Sequence, residues 1–423
     1  MCRGKMGKTI AEKILLKASG EADVELGDIV EAKVDLAMSH DNAALVSKHF
    51  KTIGVERVWN PERIVILLDH RVPANSVQTA TGHKAIRGFV SEQNLPNFYD
   101  MNAGICHQIL PEKGHVRPGE LIVGTDSHTT THGAFGAFAI AIGATEMSTV
   151  WATGSLWLKV PETIRIEVSG SLPAHVYAKD VILNIIGTLG SDYADYKAVE
   201  FYGDTVSEFS IASRMVVSNQ AMEMGSKAAI IPPDEKTTDY VGSRTSLPFT
   251  PVFADQDAEY LDTEVFDVSA LEPQIACPHS PSNVKNISEV AGTPVDQAFL
   301  GSCTNGRLED LKVTVNILKG KKIASSTRMI VIPASWEIYS EAMHKGYLKV
   351  FLDSGAIIVN PGCGPCLGAH EGILADGEKA ISSSNRNFRG RMGSTESEVY
   401  LSSPAVVAAS ALRGEITDPR TIE

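Results

Sequence analysis

The sequence predicts an α/β protein with largely parallel sheets. Three observations carry that prediction. Apolar runs of strand length alternate with amphipathic stretches of helix length. Several of these runs stop abruptly in a polar cluster rich in Asp, His, Cys or Asn. The chain has 423 residues, more than one ordinary core holds, so two or three domains are expected.

The strand endings come first because they hold the chemistry. "RIVILL" ends in Asp69-His70, "ELIVG" in "TDSHTTTHG", "QAFLG" in "SCTNG" and "GAIIVN" in "PGCGPC". In open parallel sheets, binding sites form outside the carboxyl ends of strands. Four such endings therefore predict one composite site. Four unrelated polar loops are the plainer alternative, since loops are polar anyway.

The domain breaks follow from turn residues. "VPETIRIEVSGSLPAHV" has a hairpin-like pattern and a Pro-bounded loop, which puts one break near Val160. The stretch from Leu271 to Val290 is rich in Pro and Ser and has no periodicity, so it reads as a linker. Three α/β units result: 1–160, 161–280 and 286–423. At the N-terminus, "MCRGKMGKTIAEKIL" has no apolar signal core and reads as a ragged start, from Met1 or Met6, leading into an amphipathic helix.

Composition excludes several classes. Hydrophobic residues make up 43% and charged residues 21%, the usual balance of a globular protein. The formal net charge is -13 with no basic stripe, so no nucleic-acid partner is expected. No apolar run approaches the roughly 20 residues needed to cross a bilayer, so no membrane span and a cytoplasmic location are expected. Six cysteines, Cys2, Cys106, Cys277, Cys303, Cys363 and Cys366, are too few for a disulfide scaffold in a chain this long. In a reducing compartment they are free thiols or metal ligands.

Three of them sit in ligand-like loops. Cys363 and Cys366 lie in a Gly-Pro turn, and Cys303 lies between Gly301 and Gly306, with a helix predicted from near Arg307. A structural zinc site wants four N or S ligands. A thioredoxin-like pair belongs at a helix start in a smaller unit. Three thiolates can hold a four-iron cubane and leave one iron without a protein ligand, as a Lewis acid. The spacing favours the cluster and leaves zinc open.

Asp69-His70, Cys106-His107-Gln108 and Asp126-Ser127-His128 are the parts from which proton transfer to a leaving hydroxyl is built. "SSNRNFRGRMG" sets Arg386, Arg389 and Arg391 in one loop, and arginine grips carboxylates through two parallel bonds. Asn219 and Glu223 stand four apart, the spacing of one helix face.

Taken together, "GTDSHTTTHGAFGAF", "FLGSCTNGRLEDL", "NPGCGPCLGAHEG" and "SSNRNFRGRMG" resemble the aconitase superfamily. The likeness spans essentially the whole chain. It is strongest to the branch of 3-isopropylmalate dehydratase and homoaconitase large subunits. The resemblance implies an aconitase-like three-domain α/β core with parallel sheets around a cleft. It also implies a 4Fe–4S cluster on Cys303, Cys363 and Cys366 with one labile iron. Asp69, His70, His107, Asp126, His128 and Glu223 would then serve proton transfer and the iron-bound water. Ser127, Asn219, Asn385, Arg386 and Arg391 would border cluster and substrate. His40 falls where the aconitase branch has Gln.

The resemblance further implies reversible dehydration of a hydroxy-dicarboxylate. Isomerisation of 2- and 3-isopropylmalate, a step of leucine biosynthesis, is the leading expectation. Homoaconitate, citramalate and 2,3-dimethylmalate are the alternatives. Monomeric aconitases carry a further, swivelling C-terminal domain. The expectation is that here a separate small subunit carries it, in a heterodimer or heterotetramer. An RNA-binding regulator is disfavoured by the charge, and an electron-transfer protein would use four cysteines per cubane.

Overall fold

Runs such as Ile64–Leu67 and Leu121–Gly124 are buried along their whole length, as strands covered on both faces must be. Alternate residues enter different cores. Val65, Leu67 and Ile122 face Leu300 and Val331, while Ile64, Ile66 and Val123 pack with Phe50, Phe138 and Trp151. The structure is a computed structural model and describes residues 7–422. Cys2 and the alternative start Met6 lie outside the described residues.

Among the described residues, three larger sheets organise the chain, beside a two-stranded antiparallel pair, Ile29–Lys33 with Ser155–Lys159. The first has five parallel strands in the order Asn97–Tyr99, Ile64–Leu67, Leu36–Ser39, Leu121–Gly124, Phe138–Ala141. The chain winds one way from Leu36–Ser39 and the other way from Leu121–Gly124, so strand order reverses between these two. A second sheet has four parallel strands: Ala228–Ile230, Ala198–Tyr202, Thr163–Ser169 and Asp262–Asp267.

The third sheet has seven strands, ordered Val284–Asn286, Gln274–Ala276, Glu398–Leu401, Lys379–Ser382, Gln297–Leu300, Arg328–Val331, Ile357–Ile358. The five from Glu398–Leu401 onward are parallel. Their order reverses between Lys379–Ser382 and Gln297–Leu300. Ligands bind at such reversals, outside the carboxyl ends of the strands. The first and third sheets each have one, and one shared apolar core holds these two sheets together.

Two local expectations are corrected. The stretch after Val160 is not a hairpin. Strand Thr163–Ser169 has parallel neighbours on both sides, because the chain leaves it for helix Ala178–Leu189 and crosses over. The Leu271–Val290 stretch is not a free linker. Gln274–Ala276 and Val284–Asn286 form the antiparallel edge of the third sheet. Three residues are too few to show a period, and an edge position tolerates the flanking prolines.

The helix near the N-terminus, Ile10–Ser19, starts with a Thr9–Glu12 capping box and ends at left-handed Gly20. Among the described residues no helix is long and apolar enough to cross a membrane.

Candidate active site

The two strand-order reversals face each other and open onto one space. Asp69 follows strand Ile64–Leu67, and its carbonyl accepts a hydrogen bond from the Cys363 amide at 3.0 Å. Arg386, beyond strand Lys379–Ser382, reaches Ser127, beyond strand Leu121–Gly124, with Nη1 donating to Oγ at 2.9 Å.

One wall is made of sulfur. Cys303, Cys363 and Cys366 are all buried and free. Cys363 caps a 3-10 turn, Gly364–Leu367, and Cys366 lies within it. Gly364 is left-handed (φ +52°), and a Cβ there would come within 2.2 Å of Ile332 Cδ1. Ser302 is also left-handed (φ 76°), an uncommon state for a residue with a side chain. Its Oγ accepts from the Thr304 amide at 3.3 Å, which supports the turn. The helix expected near Arg307 runs Leu308–Leu318, with Arg307 as its cap.

The thiols share neighbours. The Asn219 Nδ2 donates to Cys303 Sγ at 3.2 Å, and the Asn385 Nδ2 does so at 3.3 Å. The Asn385 Oδ1 lies 3.4 Å from Cys366 Sγ. Arg391 lies beside Cys366, and its buried Nε has no partner. Burial pushes the Cys303 thiol up, and negative charge on Asp126, Cys366 and Cys363 adds to the shift. Burial likewise lifts Cys363, to about 12.

The other wall is a hydrogen-bonded chain of acids and imidazoles centred on Asp126. Its Oδ1 accepts from His107 Nε2 at 2.7 Å and from the His128 amide at 2.8 Å. Its Oδ2 is 3.3 Å from His70 Nε2. His70 Nδ1 meets Asp69 Oδ1 at 2.6 Å. The ring of His128 reaches Glu223, with Nε2 and Oε1 2.8 Å apart, while its Nδ1 stays 3.6 Å from Asp126 Oδ1. Glu223 Oε1 also accepts from Arg386 Nε at 2.8 Å. The expected helix face over Asn219 and Glu223 is in fact split. Helix Ile211–Gln220 ends after Asn219, and a 3-10 turn, Ala221–Met224, carries Glu223. That break lets Asn219 face sulfur while Glu223 faces His128.

Electrostatics fix which groups are charged. Burial disfavours a charged Asp126, but hydrogen bonds from His107, His128 and His70 prevail and hold it well below the usual carboxylate range. Burial works against Glu223 too, and His128 and Arg386 overcome it. For His70, burial opposes the proton, but Cys363, Asp69 and Asp126 raise its pKa well above the ordinary imidazole value. The site is not equally open. The side chains of His70, Asp126 and Arg386 keep 16–18% of their exposure, against 1% for His107 and 4% for His128. His70, Asp126 and Arg386 form the mouth, and the thiols lie deeper.

The residues named from the sequence gather along these two walls, with the exception of Arg389, which is exposed and turns toward Glu396. Sequence reasoning missed Asp41. One oxygen of its carboxylate accepts from the amides of Asp69 and His70 at 2.9 and 2.8 Å, and the other meets His83 Nε2 at 2.9 Å. It stands next to His40, whose ring stacks on His70 at 4.0 Å. The pair "HD" in "SHDNAAL" was the available signal. Arg307 was also missed as a site residue. It is buried and donates to the carbonyls of Cys303 and Thr304. Cys106 places its amide 2.7 Å from Asp69 Oδ2, and Cys277 is buried elsewhere.

A family model described as the aconitase family (aconitate hydratase) matches residues 12–414. The chain belongs to the aconitase family. A probable 3-isopropylmalate dehydratase large subunit of Methanothermobacter thermautotrophicus is 56% identical over 99% of this chain and 100% of that protein. A 3-isopropylmalate dehydratase large subunit of Methanopyrus kandleri is also 56% identical, over 98% of this chain and 99% of that protein. A probable methanogen homoaconitase large subunit of Methanosarcina mazei is 54% identical over 92% of this chain and 100% of that protein.

The donor set of this aconitase-family site fits an iron–sulfur cluster. Three buried thiols gathered in one place suit a cationic partner that would hold them as thiolates, and two amide N–H donors already point at Cys303. Among the described residues, the one group of His, Cys, Asp and Glu whose ligand atoms all lie within 4.8 Å of one another is His40, Asp41, Asp69 and His70. The three thiols are spread more widely than one zinc ion requires.

Proposed function

We propose that this chain is the large subunit of an iron–sulfur hydro-lyase that interconverts 2- and 3-isopropylmalate by dehydration and rehydration. The observation that carries the reading is the meeting of three buried free thiols with the Asp126-centred histidine chain across one cleft. The names of the relatives at 56% identity point to the same substrate. When bound, a 4Fe–4S cluster held by Cys303, Cys363 and Cys366 would supply a Lewis-acidic iron that lacks a protein ligand.

The chain's own residues define the rest. Arg386 spends Nε on Glu223 and Nη1 on Ser127, which leaves Nη2 toward the mouth for a substrate carboxylate. Arg391, with its unpartnered Nε, is suited to a second negative group beside Cys366. Asp126 stays ionised, so the proton for the departing hydroxyl comes from an imidazole. His70 is the best placed. It is the most exposed of the three rings, and Asp69 and Asp126 steady it through its two nitrogens. His107 and His128 lie deeper and orient Asp126 and Glu223. The carbon-bound proton needs a base, and we assign that base to a small subunit closing over the mouth, in keeping with the "large subunit" names of the relatives. The sparse free thiols suit a reducing, cytoplasmic setting.

Homoaconitase is the second reading, favoured by the relative at 54% identity. Anaerobic reconstitution with a candidate small subunit, followed by assay of alkene-diacid formation, separates the two. Turnover of 3-isopropylmalate well above homocitrate supports the first reading. The reverse order establishes the second. No turnover of any hydroxy-diacid by a cluster-loaded pair removes both.

A further inference from the structure

Lys179 is buried, with 1% of its surface exposed, at the start of helix Ala178–Leu189. Burying an ammonium group is costly unless something nearby rewards the charge. Its Nζ donates to the carbonyls of Ser384 at 2.7 Å and Ser383 at 3.2 Å. Among the described residues it is in no ion pair. The neighbouring carboxylate, Asp180, is turned away and accepts from the amides of Gln274 and Tyr177.

The contacts of Lys179 lead straight to sulfur. Ser384 precedes Asn385, whose side-chain amide touches both Cys303 and Cys366. The Ser383 carbonyl also accepts from Thr304 Oγ1 at 2.8 Å, the residue after Cys303. Burial draws the Lys179 pKa down to about 7, while Cys303, Cys366 and Glu223 pull it up.

We propose that Lys179 is the buried counter-charge of the cysteine triad, offsetting the negative charge that three thiolates, and the cluster they hold, bring into the protein. This rests on the cluster reading above. A positive charge behind the sulfurs stabilises the more reduced, more negative cluster state, and it slows the oxidative loss of iron. Lys179 is thus a positioning and electrostatic residue; it does not touch substrate.

The test uses the anaerobically reconstituted full chain as wild type, Lys179→Met, Lys179→Gln and Thr304→Val. The readouts are the midpoint potential of the three-iron form by electron paramagnetic resonance and the rate of iron release in air. Both lysine variants should shift the potential negative and speed iron release. Gln should behave like Met, although it can still donate to a carbonyl. Thr304→Val loosens the same carbonyl without removing charge and should keep the wild-type potential. Wild-type potential and release rate in both lysine variants would overturn the proposal. An equal shift in Thr304→Val, or failure of both lysine variants to fold, would make Lys179 a structural tie and also end it. Failure of the wild-type chain to assemble any cluster would instead count against the function proposed above.

Discussion

His128 Nε2 and Glu223 Oε1 lie 2.8 Å apart, although the two residues stand 95 positions apart in the chain. The same Glu223 oxygen accepts from Arg386 Nε, so one carboxylate orients both an imidazole and a candidate substrate grip. Glu223→Gln keeps the size and removes the charge. It should lower kcat roughly 100-fold or more, the usual range for a disrupted proton-transfer set. It should also raise KM as Arg386 swings free. Steady-state kinetics of the reconstituted pair check this. A change in KM alone would reduce Glu223 to a holder of Arg386.

Asp41 ties down the loop that carries Asp69 and His70. Asp41→Ala leaves the Asp69 and His70 amides and the His83 ring without their acceptor. The expected loss of unfolding stability is about 1–3 kcal/mol, typical of buried donors left unmet. Activity should fall more than tenfold, because sub-ångström placement of a proton donor matters to rate. Urea unfolding and kcat, measured on the same preparation, are the check. Asp41→Asn, which keeps an acceptor, should restore part of both.

His115 sits away from the cleft and makes a pH-dependent contribution to stability. Its Nε2 meets Tyr99 Oη at 2.6 Å, and burial, with Arg117 nearby, lowers its pKa from 6.5 to about 4. The unfolded chain therefore binds the extra proton between pH 6.5 and about 4. Stability falls as pH drops through that window, by up to about 3 kcal/mol from this group. His115→Gln retains an acceptor for Tyr99 and should flatten this part of the profile. Equal slopes for wild type and variant in urea melts across that range would refute it.

Much of the site was legible because its residues sit where strands stop. Asp69, Asp126 and Cys303 each come shortly after a four-residue buried strand, and that local pattern survives in the sequence. What pairs them does not. Asp126 and His128 read as one unit, and His128 Nδ1 does stay 3.6 Å from Asp126 Oδ1, but its Nε2 reaches Glu223, a partner 95 positions away that the local sequence does not mark. Lys179 carries no mark in the sequence, because the carbonyls it holds lie over 200 residues away. The apparent hairpin after Val160 failed for the same reason. Strand, turn and apolar run look alike whether the chain folds back or crosses over.

The central claim is that Cys303, Cys363 and Cys366 hold a cubane with one iron free of protein donors. The direct test is Mössbauer spectroscopy of the anaerobically reconstituted chain after air oxidation and repair with isotopically enriched ferrous iron and thiol. The account predicts that label enters a single iron site whose signal changes on adding a hydroxy-dicarboxylate. It also predicts that replacing any one of the three cysteines with serine lowers iron retention sharply. A single bound zinc ion, label spread evenly over all irons, or a repaired site blind to the diacid would contradict it.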